Sequence, residues 1–155
     1  MKFLCDDNLG KLAKYLRILG YDTFFKKTLS DAELLAVMLK QKRIVLTRDN
    51  NLIKKIEPGK YLLIETDSPD EQLKAVIKSL KLKLHENELF SRCLVCNEIC
   101  HDVTKEEIAD EVFPYTIKTH KQFKKCPACG RVYWQGSHYE DMVQRLKSVI
   151  GEVDQ

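Results

Sequence analysis

MKFLCDD, Met1–Asp7, and RIVLTRD, Arg43–Asp49, are the two stretches whose reading decides the fold. Each is a short run of strand-forming apolar residues that ends on aspartate. A strand buried on both faces reads as an unbroken apolar run, and such strands belong to parallel sheets covered by helices. A strand that stops on a carboxylate carries that charge to the rim of the sheet. Two of them side by side make an acidic pocket, and a divalent cation is the natural occupant of such a pocket.

Working outward, the first strand spans Lys2–Cys5. Asn8 reads as the cap of a helix reaching Leu19, with Leu9, Leu12, Ala13, Leu16 and Leu19 on one face and Lys11, Lys14 and Arg17 on the other. Gly20 stops it. Asp22–Phe25 is a second strand. Ser30–Glu33 is a capping box that opens a helix ending near Lys42. Arg43–Thr47 is the third strand, and Pro58-Gly59 breaks a short helical piece that follows it. Tyr61–Glu65 is a fourth strand. Ser68–Glu71 is a second capping box, with proline at the first helical position. Residues 1–84 therefore read β-α-β-α-β-α-β-α, which predicts an α/β fold: a parallel sheet flanked by helices. The polar link Lys81–Glu88 sets a boundary near Glu86, giving domains 1–86 and 87–155.

Beyond the boundary the pattern changes. Cys93-x2-Cys96 and Cys126-x2-Cys129 lie 29 residues apart. Two such knuckles place four thiolates around one Zn²⁺, at about 2.3 Å per bond, with no open position for chemistry. Cys5 and Cys100 lack a CxxC partner and read as core or spare. Thr104–Glu107 caps a short helix that Phe113-Pro114 ends. Val132–Trp134 is an aromatic strand, and Ser137–Glu140 caps a last helix with Met142, Val143, Leu146 and Ile150 as its apolar stripe.

The bulk numbers exclude several classes. The chain has 155 residues, 44% hydrophobic and 32% charged, a globular composition. The net charge of +3 divides into +4 over residues 1–88 and −1 over 89–155. Within the second part, Lys118, His120, Lys121, Lys124 and Lys125 crowd together and form a local patch suited to phosphate backbone. No apolar run approaches bilayer length. The N-terminus lacks the order of a signal peptide. The expected location is cytoplasmic, where cysteines serve metals rather than disulfides.

Ligands of a parallel α/β sheet bind outside the carboxyl ends of its strands. Asp6 and Asp7 follow the first strand, Asp49 follows the third, and Asp31 opens a helix that returns to the same rim. Converging carboxylates repel unless a cation neutralises them. Oxygen ligands select Mg²⁺ or Mn²⁺, ions that support in-line displacement at phosphorus. Other readings stand beside this one. Asp31 also suits the helix dipole, Asp7 an exposed loop, and Asp49 a turn. Asp6 continues a buried strand and is the hardest to read otherwise.

Phe3-Leu-Cys-Asp6, Leu9-Gly10-Lys-Leu-Ala13-Lys-Tyr-Leu-Arg17, Arg43–Asp49, Arg92-Cys93-Leu-x-Cys96-Asn97 and Cys126-Pro-x-Cys129-Gly-Arg131-Val-Tyr-Trp134 together resemble the Mut7-C family. The resemblance implies a PIN-like nuclease domain joined to a C-terminal zinc ribbon. It implies Asp6, Asp31 and Asp49 as metal-binding catalytic acids, with Asp7 as a further candidate. RNA is the implied partner, and homodimer formation is an open expectation. The function expected is metal-dependent endoribonuclease activity. Arg48, Lys118, Lys121, Lys124 and Lys125 are the expected RNA contacts. The competing expectation is an inactive RNA- or ribosome-binding adaptor that uses the ribbon. A receiver domain needs a lysine after its last strand, where Glu65-Thr66-Asp67 stands. A haloacid-dehalogenase fold needs Asp-x-Asp in place of Asp6-Asp7-Asn8.

Overall fold

The computed structural model describes residues 1–153 of the chain. Its first half alternates β1 (Lys2–Cys5), α1 (Gly10–Ile18), β2 (Asp22–Phe25), α2 (Asp31–Gln41), β3 (Ile44–Thr47), β4 (Tyr61–Leu63) and α3 (Pro69–Leu80). The four strands form one parallel sheet in the order β2-β1-β3-β4. The expected α/β architecture is therefore present. β1 and β3 are neighbours, with Cys5 opposite Leu46. That register brings the end of one apolar run beside the end of the other.

Each sheet face has its own core. Phe3, Cys5 and Leu46 point towards α1 and α3 and pack with Leu12, Leu16, Leu73 and Val76. Leu4 and Val45 point the other way, to Leu34, Met38, Leu52 and Ile56. Consecutive strand residues face opposite sides, so a strand buried on both must be apolar throughout. Ser30 and Ser68 accept hydrogen bonds from the amides of Glu33 and Glu71, as both capping boxes predict. The first helix starts differently. Its cap position is Leu9 and no side chain caps it, so Asn8 does not fill that role.

The second half holds a three-stranded antiparallel sheet, β5 (His101–Val103), β6 (Phe123–Lys125) and β7 (Val132–Trp134), with the short α4 (Pro114–Thr119) inserted between β5 and β6. α5 (Ser137–Val153) then leaves this sheet and lies against α3. Leu146 and Val149 enter the core that α1 and α3 share. Pro114 opens a helix rather than ending one. Its missing amide and fixed φ suit the first helical position.

Arg17 corrects the sequence reading most clearly. Spacing puts it on the polar face of α1 with Lys11 and Lys14, yet it is only 5% exposed. Its Nε donates to the Thr23 carbonyl and one terminal nitrogen donates to the carbonyls of Leu94 and Val95, at 2.9–3.1 Å. The first cysteine loop thus sits on the polar side of α1. Asn97 completes the join. Its side-chain oxygen accepts from the Thr23 amide, and its amide group donates to Asp22 at 2.6 Å. Gly20 permits the approach: its φ is +93°, and a Cβ there would meet the Glu88 carbonyl oxygen at 2.9 Å.

Arg17→Ala leaves three carbonyls short of a donor, so we expect a loss of about 2–3 kcal/mol in urea unfolding. Asp22 adds a pH dependence. Burial tends to raise its pKa, but hydrogen bonds from Asn97 and Arg43 outweigh that and hold it below the usual 3.8. A depressed carboxylate contributes stability at pH above its unfolded value and loses it as pH falls through the folded one. Wild type should therefore lose stability below about pH 4 more steeply than Asp22→Asn, as read by thermal unfolding at pH 3 and pH 7.

Candidate active site and metal centre

The acidic rim is built by strand ends. The β1–β3 ladder runs one step past β1, with the Asp6 amide donating to the Leu46 carbonyl at 2.9 Å. Asp6 therefore lies beside Thr47, the last residue of β3. The Thr47 hydroxyl donates to Asp6 Oδ2 at 2.7 Å and accepts from the Asp49 amide at 3.0 Å. One buried hydroxyl thus links the two aspartates across adjacent strands. Sequence reading passed over Thr47. The signal was its position, a small polar residue closing an apolar strand one step before the acidic turn.

The remaining candidates flank this pair. Asp49 Oδ1 accepts from the Asn51 amide at 2.8 Å, an Asx turn that aims the carboxylate. Among the described residues no hydrogen bond reaches its other oxygen. Asp7 Oδ1 accepts from the Thr28 amide at 3.2 Å, fastening the β2–α2 loop. Asp31, at the start of α2, is paired with Lys55 at 3.0 Å. Lys55 lies on the 3₁₀ turn Leu52–Lys55, just past Asp49, so this exposed pair belongs to the same rim. The four carboxylates share an edge but, among the described residues, do not close into a group of three or more ligand atoms within 4.8 Å. Arg48 is half-buried beside Asp49, and its Nε has no hydrogen-bond partner.

The cysteines do close. The Sγ atoms of Cys93, Cys96, Cys126 and Cys129 all lie within 4.8 Å of one another. Both knuckles turn an amide back onto sulfur: Cys96 N to Cys93 Sγ at 3.4 Å, and Cys129 N to Cys126 Sγ at 3.5 Å. The Tyr133 hydroxyl lies 3.1 Å from Cys93 Sγ. Backbone donation, chiefly from Arg131, draws the Cys129 thiol down to about 6, while its hydrogen bond to Cys129 and burial push Cys96 up to about 12. Four sulfurs with amide donors behind them are a donor set for tetrahedral Zn²⁺. Cys100 is buried beside the cluster, and Cys5 lies in the main core, so neither belongs to the quartet.

The basic candidates divide. Lys118 on α4 and Lys121 just beyond it are exposed. Lys124 and Lys125 lie half-buried on β6, and Lys125 is engaged by Glu111 at 2.8 Å. No helix among the described residues is long and apolar enough to cross a membrane.

The structure joins a parallel sheet with acids at its carboxyl rim to a four-cysteine module. The family model for the Mut7-C RNAse domain matches residues 1–146, and the chain belongs to that family. The human exonuclease mut-7 homolog is 31% identical over 101 residues, which is 62% of this chain and 12% of that protein. The chain thus spans about an eighth of the length of this relative. No solved structure matches the chain. Family membership suggests a nuclease.

The cysteine centre makes a direct prediction. The purified chain should hold one equivalent of zinc with sulfur neighbours at about 2.3 Å by X-ray absorption. Cys126→Ser should lose most of it.

Proposed function

We propose that the chain is a metal-dependent endoribonuclease whose reaction takes place at the rim formed by Asp6, Asp31 and Asp49. The observation that carries this reading is the Thr47 hydroxyl joining Asp6 to the Asp49 backbone at the end of two adjacent strands. It ties the Asp6 carboxylate to the Asp49 backbone, while the Asn51 amide holds the Asp49 carboxylate, so two acids far apart in sequence are kept at one rim. The oxygen-only donor set suits Mg²⁺ or Mn²⁺. Bound there, such an ion supplies Lewis-acid activation of water and neutralises charge on the phosphoryl group.

The chain's own residues do the rest. Asp6 and Asp49 offer oxygens, held in place by Thr47 and by the Asn51 amide. Asp31 would help to hold the ion, and Lys55, now 3.0 Å from it, would meet phosphate at the same rim. Asp7 holds the loop that carries Lys26 and Lys27 next to the rim. Arg48 steadies the phosphate beside Asp49. The four-cysteine module binds structural zinc and brings the Lys118–Lys125 segment to the RNA backbone.

The human relative is named an exonuclease, but this chain corresponds to only a small part of it. We favour internal cleavage because Asp7, Asp31 and Asp49 are exposed rather than enclosed in a pocket that would take a strand end.

Three variants test the reading. Asp49→Asn and Asp6→Asn should each lower Mn²⁺-dependent cleavage of labelled RNA by about a thousandfold while leaving the unfolding midpoint in place. Thr47→Val should lower it by roughly tenfold, the worth of one hydrogen bond to a charged group. Circular RNA should be cut as readily as linear RNA of the same sequence. Undiminished cleavage by Asp49→Asn would remove that residue from the site, and resistance of the circle would make the enzyme end-dependent.

A further inference from the structure

The helical insertion between the two cysteine knuckles carries two large aromatic side chains in solvent. Phe113 is 82% exposed and Tyr115 77% exposed, while Ile108 and Phe123 on either side are buried. The insertion therefore has a core and leaves these two rings out of it. Two exposed rings within three residues at the start of α4 are apolar surface that a partner can cover.

Their charge setting points to the ligand. Residues 112–125 contain four lysines and no aspartate or glutamate. Glu111 takes up Lys125. Lys118 and Lys121 form no ion pair among the described residues. Tyr115 and Lys118 are three residues apart on α4, so ring and ammonium share one face. The helix is closed by Thr119, whose hydroxyl donates to the Tyr115 carbonyl at 2.8 Å. A flat ring with an exposed cation one turn away fits a base and the phosphate next to it. A duplex, whose bases are already stacked on one another, offers no free face to such rings.

We infer that Phe113 and Tyr115 form a stacking platform for unpaired RNA, with Lys118 and Lys121 on the adjoining phosphates, so that the substrate is selected for being single-stranded. The inference rests on the nuclease reading above for the identity of the ligand. Stacking on one aromatic ring typically accounts for roughly five- to hundredfold in affinity per base.

The test is fluorescence anisotropy with the full chain and a labelled unstructured 12-mer RNA, beside its duplex, in buffer without Mg²⁺ or Mn²⁺, with the RNA checked on a gel for integrity. Phe113→Ala with Tyr115→Ala should weaken single-strand binding at least about tenfold. Replacement of both by Trp should restore it. The duplex should bind more weakly and respond less than about twofold to the aromatic pair. Lys118→Ala with Lys121→Ala should lower the salt dependence of single-strand binding by roughly 1.4 in logarithmic slope.

Cleavage plays no part in this measurement. Loss of binding in the alanine pair, together with no cleavage by wild type in the separate Mn²⁺ assay, would overturn the nuclease reading and leave the platform. Unchanged single-strand binding by the alanine pair, equal losses on single strand and duplex, or no RNA binding by wild type would overturn the platform. Unchanged RNA binding together with loss of a co-purifying protein would make the surface a protein-docking face instead.

Discussion

The pairing of β1 with β3 is the constraint on which the molecule turns. Both strands are apolar on both faces and must be covered on both sides. A parallel arrangement with helices above and below provides that cover. Once Cys5 lies opposite Leu46, the next residues along, Asp6 and Thr47, meet at the rim. The acidic site is therefore a consequence of core packing. The strands end where the apolar run ends, and the first polar side chains past that point are the ones that meet.

The same logic explains the join to the second module. β2 is an edge strand, so the Thr23 amide and carbonyl on its outer side have no sheet partners. The first cysteine loop provides them through Asn97 and through Arg17, which reaches from α1 to the Leu94 and Val95 carbonyls. Arg92 extends the join by donating to the Gly20 carbonyl and to the Asn97 carbonyl. Burial pulls the Arg17 pKa down from its usual value, but the guanidinium starts so high that it stays charged. Hydrogen bonds of this kind are directional, and they fix the orientation of the cysteine loop on α1 in a way that apolar packing alone would not. On the far side, α5 inserts Leu146 and Val149 into the main core.

The sequence made the central elements legible because their signals are local. The two strands, both serine capping boxes and the four-cysteine set each reveal themselves within a few residues. Arg17 did not, because helical periodicity shows which face is polar but not what packs on it. Thr47 escaped because a threonine at a strand end is ordinary until its partner strand is known. β5 and β6 carry His101-Asp-Val103 and Phe123-Lys-Lys125, too short and too polar to alternate. Pro114 is ambiguous by nature, since proline both ends one helix and begins the next. The rim acids were readable as strand ends, but the pairing of Asp31 with Lys55 depends on where a 3₁₀ turn falls.

The central claim is that Asp6 and Asp49 bind one ion between them. Titration of Mn²⁺ followed by electron paramagnetic resonance, with wild type, Asp6→Asn, Asp49→Asn and the double variant, tests it most directly. Shared ligation predicts strong non-additivity: either single change removes most of the rim affinity, and the second adds little. Additive losses, or Mn²⁺ binding that survives both changes, would show that the two carboxylates act apart and would contradict the account.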